Sequence, residues 1–156
     1  MEAENLLQHV NVNVSDLARA TAFYRDVLGL PLDPTPDQGF ESQFFRIGSR
    51  GQIHMNVLDD VHGFRSHFCI EMVDFMGVFH RARAAGAVDV RPWGRVRRLP
   101  SGKMQMFVRD PDGNLVEVAS TRDSVIDATL FDDPLVEPRP GTYRIPPGSA
   151  GRHEDA

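Results

Sequence analysis

The chain has 156 residues, 41% of them apolar and 25% charged, which suits one packed domain and excludes a disordered polymer. A formal net charge of −5, with only one short basic cluster (Arg91, Arg95, Arg97, Arg98, Lys103), excludes a phosphate-tracking nucleic-acid binder. No apolar run is long enough to span a bilayer, and the opening Met-Glu-Ala-Glu-Asn lacks the features of a secretion signal. A cytoplasmic protein is therefore expected, with the single cysteine, Cys69, read as a buried small hydrophobe.

From Leu7 to Val14 polar and apolar residues alternate, so His9, Asn11 and Asn13 share the polar face of a strand. Ser15 or Asp16 then caps a helix whose apolar stripe is Leu17, Ala20, Phe23, Tyr24, Val27 and Leu28. Gly29 ends that helix and Pro31 forbids its resumption. Strands follow around Leu30–Leu32, Gln43–Ile47 and Gln52–Leu58. The plan then recurs: a strand over His67–Val73, a helix over Asp74–Ala85 and a strand near Val88–Arg91. A loop through Trp93–Gly102 leads to a hairpin, Met104–Arg109 with Asn114–Ala119, turned by Asp110-Pro111-Asp112-Gly113.

From Thr121 onward the composition changes, with five of the eleven prolines in the last 36 residues. Leu130, Phe131, Leu135, Val136 and Tyr143 are apolar enough to dock on the body, so this stretch is expected to be an irregular, extended strap near the mouth of a site, too proline-rich to pair as a strand. The organisation is thus α+β, with residues 1–120 as one domain of two βαβββ modules (6–58 and 66–120) and residues 121–156 as an extension.

The repeat aligns residues with ligand chemistry. His9 and His67 each lie on a strand seven residues before an Asp, at Asp16 and Asp74. Near the end of each module a ligand type sits among apolar neighbours: His54, 45 residues after His9, and Glu117, 50 residues after His67. Packing the modules about a pseudo-twofold axis would set His9 opposite His67 and His54 opposite Glu117, converging three imidazoles and one carboxylate on a metal ion. A Glu flanked by Val116 and Val118 is costly to bury unpaired, which favours that reading. His80, His62 and His153 are read as solvated, and the Met104/Met106 pair and Trp93 as packing.

The segments His9 with Val14-Ser15-Asp16-Leu17, Phe23-Tyr24-Arg25-Asp26-Val27-Leu28-Gly29-Leu30, Ser66-His67-Phe68 and Phe107-Val108-Arg109-Asp110-Pro111-Asp112-Gly113-Asn114-Leu115-Val116-Glu117 resemble the vicinal oxygen chelate superfamily. That superfamily includes glyoxalase I, type I extradiol dioxygenases, fosfomycin-resistance enzymes and bleomycin-resistance proteins. The resemblance covers about residues 6 to 120. It implies an open, cup-shaped mixed sheet around a divalent metal held by His9, His67 and Glu117. Glyoxalases and their relatives often place a fourth ligand where this chain has His54. The turn Asp110-Pro111-Asp112-Gly113-Asn114 looks more like that of the extradiol dioxygenases, although their pattern has a Tyr where this chain has Phe107.

The resemblance, with the residues, gives as its first expectation an Fe(II) ring-cleaving dioxygenase acting on a small catechol and O2, in a homodimer. Mn(II), Ni(II) and Zn(II) are the alternative metals. His54 would be the acid/base, and Phe107 and Tyr143 would contact substrate. Fourth ligand and inert pocket wall remain open for His54. A glyoxalase-like isomerase, epimerase or thiol transferase is the second reading, and a drug-sequestering protein without chemistry the third.

Overall fold

The computed structural model describes residues 7–62, 66–91 and 94–140, and for 138–140 the backbone alone. The alternation from His9 produces strand β1 (His9–Val14), and Asp16 caps α1 (Leu17–Ala22) by accepting from the Arg19 amide at 2.9 Å. The helix then widens into a π-helical turn over Phe23–Val27, where the Leu28 N–H reaches back to the Phe23 carbonyl at 3.2 Å. Widening the turn places the adjacent Phe23 and Tyr24 both inside the core. Gly29, at φ +76°, provides the left-handed exit that a side chain would resist.

Strands β2 (Leu32–Asp33), β3 (Ser42–Ile47) and β4 (Gly51–Val57) complete the first module, in the sheet order β1-β4-β3-β2. The second module repeats it with β5 (His67–Met72), α2 (Phe75–Ala84), β6 (Val96–Arg98), β7 (Met104–Arg109) and β8 (Leu115–Ser120), in the order β5-β8-β7-β6. In each module the first and last strands pair in parallel and the hairpin pairs are antiparallel. The α+β, twice-βαβββ architecture is therefore present, with both sheets open.

Three local expectations are corrected. Residues 88–91 make a single bridge, Val88 to Val108, whereas the third element of the repeat is β6, inside the stretch read as a loop. Val96, 1% exposed, anchors it, although the arginines around it mask the apolar signal. The first part of the extension is no strap: Ala128–Asp132 form a 3₁₀ turn and β9 (Val136–Pro140) pairs in parallel with β6. Its prolines are tolerated because β9 is an edge strand, and Leu130 and Val136 are core residues. Cys69 is exposed, because its neighbour Ile70 takes the inward position of β5. Trp93 and Tyr143 lie outside the described residues.

The modules are clasped by the turn after β7. Asp110, 4% exposed, accepts from the Tyr24 hydroxyl (3.2 Å), the Asn114 side chain (2.8 Å) and the amides of Asp112 (2.9 Å) and Asn114 (2.8 Å). Asn114 also donates to the Asn13 carbonyl at 2.9 Å, and Asp112 meets both Ser15 and Arg19 of the first module. Burial raises the Asp110 carboxyl above its ordinary range, and burial followed by the Asp110 charge raises the Tyr24 hydroxyl well above its own. Gly113, at φ +86°, closes the turn. From the other side the Arg81 side chain donates to the Val27 carbonyl at 3.0 Å.

Candidate metal centre in two halves

Period-two strands put alternate residues on one face, and register partners share it. On the first sheet, His9 pairs with Gln52, Asn11 with His54 and Phe44 with His54, so these side chains form one polar surface floored by an aromatic ring. His54 is sandwiched: its ring lies 3.6 Å from that of Phe44 at 2° and 4.2 Å from that of His9 at 8°. Desolvation, then the neighbouring His9, lowers the His54 pKa, so its ring is neutral at neutral pH.

On the second sheet, Cys69 pairs with Glu117 and Phe107 with Glu117, while His67 begins β5 beside Leu115. His67 Nε2 stands 3.1 Å from Glu117 Oε2, and Gln105 Nε2 donates to Glu117 Oε1 at 2.5 Å. The ring of Phe107 meets that of His67 edge-on at 5.1 Å. Although Cys69 is exposed as a residue, desolvation of its sulfur against the sheet, then the Glu117 charge, pushes the thiol up to about 12, which leaves it a weak nucleophile.

The structure therefore brings His9 to His54 and His67 to Glu117, as two pairs on two sheets. The pseudo-twofold pairing expected from the repeat sets His9 against His67 instead. Among the described residues of one chain no group of three or more His, Cys, Asp and Glu side chains is placed to hold one ion. The donor chemistry of the second half nevertheless suits a divalent metal. Two donors at right angles on one ion, each bonded at about 2.1 Å, lie about 3.0 Å apart, close to the separation of His67 Nε2 and Glu117 Oε2. Gln105 supplies the outer hydrogen bond that holds a ligating carboxylate in orientation.

The stack decides a second point. Imidazole lone pairs lie in the ring plane, so two nearly parallel rings direct theirs side by side and not onto a common ion. As placed, His54 does not share a metal with His9.

An open cleft with a volume of about 150 Å³ runs between the modules along Val10–Asn13, Ser66–Phe68, Asn114 and Leu115. It carries the edges of β1 and β5 and reaches His67.

Residues 6–118 match the family model described as the Glyoxalase/Bleomycin resistance protein/Dioxygenase superfamily. The chain belongs to this superfamily. Its members are mostly metalloenzymes that bind divalent metals and small molecules, and they are often dimeric. The chain is 29% identical over 121 residues to the metallothiol transferase FosB of Shouchella clausii, covering 73% of this chain and 79% of that protein. Among solved structures it is similar to lactoylglutathione lyase from Agrobacterium tumefaciens, with 26% identity, a TM-score of 0.55 and coverage of 77% and 96%. It also shares its fold with the oxidase ChaP-H2, at 20% identity, a TM-score of 0.63 and coverage of 76% and 95%. Among the described residues no helix is long and apolar enough to cross a membrane.

The glutamines beside His54 and Glu117 were not singled out from sequence. Gln52 is two residues before His54 on one strand and so shares its face, a signal the alternation contains. Asp33 has no such signal, because β2 is two residues long and its partners come from β3 and β4.

Proposed function

We propose that the protein is an Fe(II)-dependent ring-cleaving dioxygenase acting on a small catechol, with His9, His67 and Glu117 as metal ligands. The observation that carries this reading is the Phe44–His54–His9 stack, which leaves a set of two imidazoles and one carboxylate. That set, with adjacent open positions, is the arrangement of non-haem iron oxygenases. Bound there, the metal would lower the pKa of a chelated catechol and serve as the redox partner of O2.

The chain's own groups would do the rest. His54, held between two rings, accepts a catechol proton and later returns it, while Phe44 and Phe107 bound the ring of the substrate. The reaction opens the ring at a carbon–carbon bond next to a hydroxyl, and both oxygen atoms enter the product. Three of the cations on these sheets are already paired, Arg46 with Asp33, Lys103 with Glu71 and Arg109 with Asp89.

The two halves meet, in this proposal, in a homodimer: His9 of one protomer joins His67 and Glu117 of its partner. The clasp around Asp110 opposes the alternative of swinging the modules together within a chain, since that would strip buried hydrogen bonds from Tyr24 and Asn114. Each sheet also ends in an edge strand, β1 or β5, open to a second copy.

A metal-dependent thiol transferase is the second reading, favoured by the identity with a protein of that name. The deciding experiment loads the protein anaerobically with Fe(II), adds a catechol panel and follows O2 uptake with the yellow ring-opened product. O2 uptake matched to product supports the dioxygenase. Metal-dependent consumption of a thiol by an electrophile, without O2 uptake, replaces it with the transferase.

A further inference from the structure

A row of polar side chains crosses the first sheet from its far edge to the proposed metal ligand, and its direction is set by one carboxylate. Asp33, on β2, can only accept. Its Oδ1 takes Arg46 Nε at 2.9 Å and its Oδ2 takes Gln52 Nε2 at 2.6 Å. The Gln52 group facing Asp33 must therefore be its NH2, which turns the Gln52 carbonyl toward β1 and His54.

Two donors meet that carbonyl oxygen: His54 Nε2 at 3.0 Å and Gln8 Nε2 at 3.4 Å. In a neutral ring, His54 must then carry its proton on Nε2, leaving the lone pair on Nδ1. With the Gln8 NH2 spent on Gln52, the Gln8 carbonyl oxygen faces His9 Nδ1. His9 must carry its proton on Nδ1, leaving Nε2 bare. Arg46, Gln52 and His9 occupy one register row across β3, β4 and β1, so the backbone itself holds the relay in line.

We propose that Asp33 and Gln52 are positioning residues that set opposite tautomers on the two stacked histidines. His9 presents Nε2 as the metal-binding atom and His54 presents Nδ1 as the proton acceptor. These two roles rest on the function proposed above, whereas the tautomers themselves do not. A ligating imidazole whose other nitrogen is fixed by an outer hydrogen bond is held in one orientation, and losing such a partner typically weakens metal binding about 10- to 100-fold.

The test reads tautomers in the metal-free, full-length chain by long-range 1H–15N correlation on 15N-labelled histidine, at a pH where both rings are neutral. Wild-type protein is expected to show Nδ1–H on His9 and Nε2–H on His54. His9 is the sensitive reporter, because free neutral histidine favours Nε2–H. Asp33→Asn should invert both rings. Arg46 claims the single oxygen of the new amide, the NH2 turns to Gln52, and every amide downstream flips. Gln52→Leu should return His9 to the free-histidine preference, while Asp33→Asn combined with Gln52→Glu, in which the new amide NH2 donates to the new carboxylate and that carboxylate accepts from His54 and Gln8, should restore the wild-type pattern.

A wild-type His9 with Nε2–H, or an Asp33→Asn protein with unchanged tautomers and a native spectrum elsewhere, overturns the relay. If Asp33→Asn does not fold, Gln52→Leu decides by the same signals, an unchanged Nδ1–H on His9 overturning the relay. Fe(II) affinity is measured in parallel. Tautomers as expected in a protein that binds no metal would sink the proposed function and leave the relay standing.

Discussion

Two inactive variants, mixed, should restore activity if the metal centre is shared between protomers. In that arrangement His9→Ala loses the ligand that one chain lends, and Glu117→Ala loses a ligand that its partner lends. In a mixed dimer both lesions fall in the same site, and the other site receives an intact His9 and an intact Glu117. Equal amounts, unfolded and refolded together, associate as 1:2:1, so half the dimers are mixed and each has one good site of two. Activity and bound metal should therefore recover to about one quarter of wild type in a twofold dimer. Each variant refolded alone should show essentially none. An intrachain site predicts no recovery at any ratio, since every chain carries a lesion. The assay needs two affinity tags, to isolate the mixed dimer, and a metal determination on it. Mixed dimers that contain no more metal than the parents would refute the shared centre, and with it the role of the Asp110 clasp in keeping the two halves of one chain apart.

His54→Ala should hold Fe(II) within a few-fold of wild type but lose about 10² to 10⁴ in kcat; metal loss on dialysis would show that His54 is a ligand. Asp110→Ala should cost about 3 kcal/mol or more, because it strands the Tyr24 hydroxyl and the Asn114 amides, and a urea midpoint within error of wild type would contradict the clasp. Truncation after Ser120 uncovers Val96 and discards Leu130 and Val136, which are 2% and 3% exposed. At about 1.5–3 kcal/mol for each buried side chain, the melting temperature should fall clearly; an unchanged melting curve would mean that β9 is dispensable. For Asp89, burial raises the carboxyl, but the Arg91 amide and the guanidiniums of Arg109 and Arg91 outweigh it and hold the pKa below the ordinary range. Its stabilisation is therefore complete above the unfolded pKa of about 3.9 and is lost as pH falls through the lower folded value. Denaturation measured from neutral pH into acid should show wild type and Asp89→Asn converging only in that acid window, and a constant gap would contradict the assignment.

The alternation of β1, the Asp16 cap and the Gly29 exit are local signals, and the internal repeat carried them into the second half, which made the twice-βαβββ plan readable. Tertiary context hid the remainder. β6 survives on one buried valine amid arginines, and β9 survives its prolines because an edge strand needs only one hydrogen-bonded side. Cys69 is a residue type usually found inside, and register alone turned it outward. The ligand types at His9, His54, His67 and Glu117 were visible from the repeat, but their pairing depended on how two sheets pack. Spacing along a chain cannot express that.

The Asp-Pro-Asp-Gly-Asn turn illustrates the same limit for function. By resemblance it leans toward the extradiol dioxygenases, yet Asp110 and Asn114 are spent on Tyr24, Asn13 and their own turn, and Asp112 gives one oxygen to Ser15 and Arg19 while its other oxygen is buried inside the clasp. A turn so occupied reports how one module grips the other and says little about substrate. Discrimination among substrates has to come from groups on the open faces: the Phe44–His54–His9 stack, Phe107, and the amides of Asn11, Asn13 and Asn56 that run beside them. Asn56 donates to Asn11, and Asn11 to Asn13, both at 2.7 Å, while the Asn56 side-chain oxygen is buried with no hydrogen-bond partner. A buried acceptor left unmatched is costly, and this one has almost no accessible surface, so a substrate donor that draws the Asn56 side chain open would be selected over an analogue lacking one. A catechol panel that varies a side-chain amine, amide or hydroxyl therefore tests more of this site than one that varies ring size, and Asn56→Leu should erase the preference while leaving turnover of plain catechol in place.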